Sequence, residues 1–405
     1  MNAPALRSRD FRLLLLGQLV SLTGSQMQQV AIVWQLYLLT HSPLALGMLG
    51  FFRVVPVIVF ALGCGVVADA VDRRVLMFIS QCALALVSLT LALATHAGHV
   101  SEWTIYGLSA LGGAAFAFDL PARQALVPQL VPREALPNAL SLYATVMQIA
   151  TIGGPALGGL VLASSGVVPI YVLDVISFGA VIVALLLMRH RAPGRGLAQV
   201  NAHAALEGLR FIRRTPLIWS TMLLDFVATF FGGSMLLLPI FADQLFHVGP
   251  RGLGLLFAAQ PVGAALAGSA LSVLPAIRRR GPAVLVSVAA YGLAVVLFGI
   301  APWFWLAFVG LALSGAADTV SMVIRQTLRQ LLTPDELRGR MTSVNMIFFT
   351  GGPQLGEVEA GAVAKLFTPR VAVWSGGLAC AVAAALVAVL VPSLWSYRTG
   401  PGVDS

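Results

Sequence analysis

The sequence predicts an all-α membrane protein, with twelve transmembrane helices in two pseudo-symmetric six-helix bundles. Three observations predict it. First, 58% of the 405 residues are hydrophobic and only 10% are charged, whereas soluble chains carry about 25% charge. Second, continuous apolar stretches recur along the whole length. At about 20 residues each they suffice to cross a ~30 Å hydrocarbon core as a helix. A large β-barrel needs alternating rather than continuous apolarity. Third, the two halves of the chain repeat one another.

The spans lie near 13–39, 44–68, 75–95, 103–122, 139–163, 168–188, 217–241, 252–274, 283–300, 303–325, 341–366 and 370–391. Most connections are short. The longest, 189–216, divides six spans from six, so the expected organisation is 1–190, a cytoplasmic loop 191–216, and 217–405. From Ala202 to Arg214 this loop has apolar residues at helical spacing beside basic ones, the pattern of a helix lying in the interface.

Charge placement orients the spans. With the N-terminus inside, 21 of the 25 Lys and Arg residues fall in inside segments. Only Arg251, Lys365 and Arg370 fall outside, and Arg53 lies within the second span. Both termini are therefore expected in the cytoplasm. The net charge of +9 follows from this bias and does not call for nucleic acid. Trp103 and Trp303 open the fourth and tenth spans, as outer-interface anchors do. The three cysteines, Cys64, Cys82 and Cys380, lie in apolar runs and suggest neither a disulfide framework nor a metal site. No cleavable signal peptide is evident at "MNAPALRSRDFR".

Three ordered matches carry the repeat. "GMLGFFRVVPVIVFALGCG" (47–65) pairs with "GLGLLFAAQPVGAALAGSA" (252–270), aligning Pro56 with Pro261. "LGGAAFAFDLPARQALVPQLVP" (111–132) pairs with "LSGAADTVSMVIRQTLRQLLTP" (313–334), and "GGPALGG" (153–159) with "GGPQLGE" (351–357). A duplicated six-span half is the plan of a rocking carrier with its binding site between the halves.

Charged groups at bilayer depth are costly and mark function. The candidates are Asp119, Asp174, Asp225, Asp318, Glu357 and Glu359, with Arg53 as the buried cation. At ~100° per residue, Ser314, Asp318, Ser321 and Arg325 share a face of the tenth span. Thr221, Asp225, Thr229 and Gly232 share one on the seventh. Gln18, Ser21, Ser25, Gln28, Gln29 and Gln35 form a stripe on the first. Such stripes must face protein or water, not lipid. Asp318 with Arg325, and Asp119 with Arg123, are spaced as gate pairs, made in one state and broken in the other. Glu357 and Glu359 are two residues apart, about 200° on a helix. Glu359 shares its face with Gly352 and Gly356, so it suits an outer gate or interhelical contact, whereas Glu357 lies deeper and suits a proton site. Arg53 needs a partner, such as a carboxylate of the eleventh span, or an anionic substrate. Gly154, Pro155, Gly158 and Gly159 suit a tight seal between helices.

The loop "GVVADAVDRR" (65–74) resembles the signature of the major facilitator superfamily between its second and third helices: Gly65, Asp69, Arg73 and Arg74 match, and Asp72 stands where many members have Gly. "GPALGG" (154–159) looks like the core of that superfamily's antiporter motif, with Ala150 replacing an earlier glycine. "LPARQALVPQLVPREALPNALSL", "EGLRFIRRTPLI" and the opening "GGPQLGEVEAG" resemble the drug:proton antiporter branch that includes the enterobactin exporter and macrolide efflux proteins. Ser25 stands where many of those relatives have an acidic residue. The resemblance implies that the first, fourth, seventh and tenth helices line a central cavity, and that Asp69 latches the inside closed against the N-terminus of the eleventh helix.

The expected function is proton-coupled export of a small, partly apolar compound through an inner membrane by alternating access. Its partners are the substrate, protons and lipid; it needs no cofactor, metal or nucleic acid, and it acts as a monomer. Asp225 and Glu357 are the leading proton candidates, so Asp225→Asn and Glu357→Gln are expected to abolish coupled export and leave folding intact. A proton-coupled importer or uncoupled facilitator is the alternative. A non-transporting sensor is the different-class rival, whose marker would be an added soluble domain. The sequence shows no nucleotide-binding P-loop and no hydrolase or metalloprotease motif, so ATP-driven transport and enzyme chemistry are not expected.

Overall fold

Helix caps and prolines set where the chain turns in the computed structural model. It describes residues 4–189, 215–275, 277 and 279–395, with the backbone alone for 61–70 and 335–350. Twelve long helices occupy it, with no strand among the described residues. They are α1 (Arg9–Thr40), α2 (Pro43–Ala70), α3 (Arg73–His96), α4 (Glu102–Leu126), α5 (Leu136–Ser165), α6 (Val167–Leu187), α7 (Pro216–Phe231), α8 (Gly249–Val273), α9 (Arg280–Ile300), α10 (Phe304–Leu332), α11 (Asp335–Leu366) and α12 (Pro369–Leu390).

Side-chain caps open several of them and satisfy amides that lack a helical partner. Ser8 accepts from Phe11 N at 3.3 Å before α1, and Thr368 from Val371 N at 3.2 Å before α12. Ser101 and Thr104 form a reciprocal capping box before α4. Asp72 caps α3, accepting from Arg74 N at 2.9 Å. Five of the helices contain an internal proline: Pro56, Pro121, Pro155, Pro261 and Pro353. Pro56 and Pro261 are partners in the sequence repeat, and so are Pro155 and Pro353. Each half thus carries a proline, a residue that favours a bend, inside its second and fifth helix at an equivalent place.

Among the described residues, ten helices are long and apolar enough to cross a membrane. The other two long ones, α1 and α11, have 32 residues each, ample length for a ~30 Å core; α1 carries the polar stripe. α3 shows how such a helix is built. Ile79, Leu86 and Leu93 are 57–62% exposed on one face, as lipid-facing residues are, while Gln81 and Ser88 on the opposite face are buried.

The chain forms two compact units, one of residues 1–41, 51–200 and 248–258, the other of 42–50, 201–247 and 259–405. The first is held by the pairs α1–α6, α1–α5, α3–α4 and α3–α6. In the second, α7–α12, α7–α11, α9–α10 and α9–α12 pack in the same way. Numbering each half from its own first helix makes the two sets identical. The repeat read in the sequence is a repeat of packing.

Candidate functional site

In the first unit the polar stripe of α1 meets polar residues of α3 and α6. Ser21, Gln28 and Gln35 are spaced seven apart, as are Gln81, Ser88 and Thr95 on α3. Ser21 donates to Gln81 Oε1 at 3.4 Å, Gln28 to Ser88 Oγ at 2.6 Å and Gln35 to Thr95 Oγ1 at 2.9 Å. Tyr171 of α6 donates to Gln35 Oε1 at 2.7 Å. A seven-residue repeat keeps two parallel helices in register over two turns at a time. Much of the stripe is therefore spent on helix-to-helix bonds inside one unit. Gln18, one turn below Ser21, is fully buried, and its amide makes no hydrogen bond among the described residues.

Two carboxylates join this ladder. Asp119 of α4 is fully buried, forms a salt bridge with Arg123 one turn on, and accepts from Gln81 Nε2 at 2.8 Å. Asp174 of α6 is also fully buried and lies within hydrogen-bond reach of three serine hydroxyls, Ser88 at 2.6 Å, Ser177 at 3.3 Å and Ser25 at 3.5 Å. The Asp119–Arg123 pair expected from the spacing is formed, within a single helix.

The second unit carries a four-charge cluster. Arg325 of α10 lies 2.9 Å from Asp225 of α7 and 3.5 Å from Asp318, and donates to Ser321 Oγ at 2.8 Å. Arg329 reaches the other oxygen of Asp225 at 3.4 Å. Asp225, Arg325 and Arg329 are each 4% exposed or less, while the Asp318 side chain is 36% exposed. Two guanidinium groups and two carboxylates balance, which is what burial in a medium of low dielectric requires. The Asp318–Arg325 pair expected from the spacing is formed, and the structure adds two members to it. Arg325 lies closer still to Asp225, because α7 packs against α10 and brings the deeper carboxylate alongside. Arg329, read only as an inside-positive residue, is a member of the cluster. Its signal was present: it continues the Ser314, Asp318, Ser321, Arg325 face by one more helical turn.

Glu357 of α11 is placed differently from an open proton site. α7 stops at Phe231, and the seventh span resumes as a short 3-10 helix at Met235–Leu237. The break leaves amides without helical partners. Glu357 supplies the acceptors: Met235 N donates to Oε1 and Leu236 N to Oε2, each at 3.0 Å. Gly232 and Gly233 form the break because neither has room for a side chain. A Cβ on Gly232 would collide with the Tyr291 hydroxyl, and one on Gly233 would lie 3.1 Å from the Pro353 carbonyl and the Gly356 backbone of α11. Glu357 therefore fastens a discontinuous helix, an arrangement the unbroken span expected over 217–241 did not reveal. Asp225 and Glu357 are both engaged, so neither Asp225→Asn nor Glu357→Gln is expected to leave folding intact. Glu359 is half-buried.

The glycine-rich stretch of α5 makes the close approach its composition suggested. A Cβ on Gly154 would meet Gln26 Cβ at 2.5 Å and the Thr23 carbonyl at 2.9 Å of α1; one on Gly158 would lie 3.0 Å from Met27 Cα. On Gly159 it would lie 2.9 Å from Gly254 Cα at the start of α8. Pro155 lies in the same tight turn, and its carbonyl faces Gly254. Gly154→Leu is expected to force α5 off α1 at a cost of about 1–3 kcal/mol, lowering the thermal unfolding midpoint of the detergent-purified protein. An unchanged midpoint would contradict this packing.

At the α2–α3 turn, Asp72 is the α3 cap, Arg73 is 5% exposed, and Arg74 donates to the Leu186 carbonyl at the end of α6 at 3.2 Å. The side chain of Asp69, the surroundings of Gly65, the side chains of the N-terminal turns of α11 and the loop helix expected over 202–214 lie outside the described residues. Arg53 is half-buried on α2, where its backbone carbonyl faces Gly113 of α4.

Residues 2–397 match the major facilitator family described as transmembrane secretion effector. The chain belongs to that family. It is a transporter rather than an enzyme, and a multi-pass protein of the inner membrane. This transporter is 26% identical over 391 residues to the enterobactin exporters of Shigella boydii serotype 18 and Escherichia coli O139:H28, covering 96% of this chain and 94% of theirs. Its fold is that of solved transporters of the superfamily. A bacterial homologue of the human lysosomal transporter Spinster, inward-facing and unoccupied, superposes with a TM-score of 0.71 at 16% identity, covering 99% and 100% of the two chains. A POT family transporter in complex with 5-aminolevulinic acid superposes with a TM-score of 0.78 at 9% identity, covering 96% and 97%.

Proposed function

We propose that this transporter exports a small amphipathic compound of the siderophore type in exchange for protons, by alternating access, as a monomer with both termini in the cytoplasm. The observation that carries the reading is the full-length similarity to enterobactin exporters. The positive-inside bias supports the orientation. Buried carboxylates in a transport fold support proton coupling, because neutralising one changes the relative free energy of two carrier states.

The Asp119–Arg123 pair and the Asp225–Arg325–Arg329 cluster each lie inside one unit. We assign them to holding each unit rigid while the carrier changes state. Arg53, Asp318 and Glu359 are half-buried charged groups within the spans, and we assign them to contact with the polar part of the substrate. Enterobactin is the first probe. Inverted and right-side-out proteoliposomes with an imposed pH gradient are expected to show enterobactin moving against the proton flux, with movement abolished when the gradient is collapsed. Movement in the same direction as protons would make the protein an importer, and gradient-independent equilibration would make it a facilitator.

A further inference from the structure

Four carboxylates are buried among the described residues of this chain: Asp119, Asp174, Asp225 and Glu357. Three have their charge compensated. Asp119 is paired with Arg123, Asp225 with Arg325 and Arg329, and Glu357 receives two backbone amides. Among the described residues, Asp174 is bonded by neither a cation nor a backbone amide. Its partners are three serine hydroxyls, and no basic side chain bonds to it among the described residues. An uncompensated charge at this depth is costly, whereas a neutral acid needs only its hydrogen bonds.

We propose that Asp174 is a proton-binding site of the transporter and that it holds its proton in this conformation. A count of hydrogens around Ser88 leads to the same conclusion. The Ser88 Oγ has three neighbours: Gln28 Nε2 at 2.6 Å, the Leu84 carbonyl at 3.1 Å and Asp174 Oδ2 at 2.6 Å. A hydroxyl has one hydrogen to give and two lone pairs with which to accept. With a proton on Asp174 Oδ2, every contact is made at once. The acid and the Gln28 amide donate to Ser88, and Ser88 donates to Leu84. Ser177 spends its hydrogen on the Asp174 backbone carbonyl at 2.7 Å, and Ser25 reaches Oδ1 at 3.5 Å. Without that proton, Ser88 has one hydrogen for two acceptors, and the carboxylate is left with a single short bond. The separation of 2.6 Å suits an acid bonded to a hydroxyl.

Among the described residues, the helices packed on α6 bring no ionic side chain beside Asp174; Arg53 of α2 acts electrostatically on Tyr171, one turn along α6, and is not among the partners of Asp174. α1, α3 and α5 pack on α6. α5 contains no charged residue, and its one titratable side chain is Tyr143. On α1 the nearest ionic residue to Ser25 is Arg12, about 20 Å along the helix at 1.5 Å per residue. On α3, measured in the same way from Ser88, Cys82 is about 9 Å, His96 about 12 Å and Arg74 about 21 Å distant. Tyr171, one turn along α6, spends its hydroxyl on Gln35. Gly24 of α1 keeps the cage closed: a Cβ there would lie 2.9 Å from Asp174 Oδ1 and 2.7 Å from Ser177 Cβ.

Proton binding is tested without any substrate. The full transporter in lipid bilayers is titrated from pH 5 to pH 9, a window of about two units either side of neutrality, by infrared difference spectroscopy. At neutral pH the wild type is expected to show the carbonyl stretch of a protonated carboxylic acid, shifted by deuterium exchange. Asp174→Asn should lack it; the new amide donates to Ser88 as the acid did, so the fold is kept. Ser88→Ala, which removes the acceptor, should retain the band at a displaced frequency. A band missing from the wild type, unchanged in Asp174→Asn, or removed by sodium at constant pH overturns the proposal. Its role in coupling rests on the exporter reading above. In that arm Asp174→Asn proteoliposomes should lose pH-driven enterobactin accumulation and retain enterobactin exchange without a gradient. Undiminished pH-driven accumulation in this variant would remove Asp174 from coupling. If no protein, wild type included, moves enterobactin, the substrate assignment fails and the infrared result stands by itself.

Discussion

Asp225→Ala is expected to remove about 3–5 kcal/mol of stability, the cost of breaking a buried ion pair from one side. Two guanidinium groups share this carboxylate, at 2.9 Å and 3.4 Å, and both are almost fully buried. Without it, Asp318 remains as a counter-charge to Arg325, at 3.5 Å and 36% exposed. Asp225→Asn keeps the shape and still removes the charge, so its loss should be of the same order. Asp318→Asn should cost far less, because that side chain is partly in water and Arg325 keeps a nearer partner. The measurement is the thermal unfolding midpoint of each purified variant in one detergent. If Asp225→Asn unfolds with the wild type, the cluster is not a structural tie. Replacing Asp225 and Arg325 together by apolar residues of similar size should recover part of the loss, since a buried pair removed whole leaves less unpaired charge behind.

Glu357→Ala is expected to free the amides of Met235 and Leu236, at about 1.5–3 kcal/mol for each bond to a charged acceptor. These two bonds fasten the resumed half of the seventh span. Glu357→Gln should fall between wild type and Glu357→Ala, because the amide keeps one acceptor oxygen and turns an N–H toward the second donor. Hydrogen exchange reads this directly. A loss of about 3 kcal/mol corresponds to roughly two orders of magnitude faster exchange at these amides. The expected ranking is Ala fastest, Gln intermediate, wild type slowest. Equal protection in all three proteins would mean that Glu357 does not hold the broken helix.

The fold was legible because its physics is local and repetitive. Twenty-residue apolar runs, arginine asymmetry and the matched prolines Pro56/Pro261 and Pro155/Pro353 are all properties of the chain as written. The Asp119–Arg123 pair was legible for the same reason, since four residues along one helix bring two side chains together. Asp225 with Arg329 was not, because that bond joins residues 104 apart and depends on α7 packing against α10. Asp174 could be singled out by depth. That its bonding partners among the described residues are hydroxyls and not cations could not be read, because that is a property of what α1 and α3 place around it.

The two glutamates of "GGPQLGEVEAG" mark the same boundary. Helix periodicity by itself determined that Glu357 and Glu359 point to different sides. The tertiary structure alone decided that Glu357 caps a break in the seventh span, because the break is made by Gly232 and Gly233 packing against α9 and α11. Sequence determined which residues enter the membrane and which face of each helix is polar, since burial in lipid is a constraint on every residue singly. Which buried charge meets a counter-charge, and which is left to hold a proton, was decided only when the helices packed, since compensation is a property of pairs.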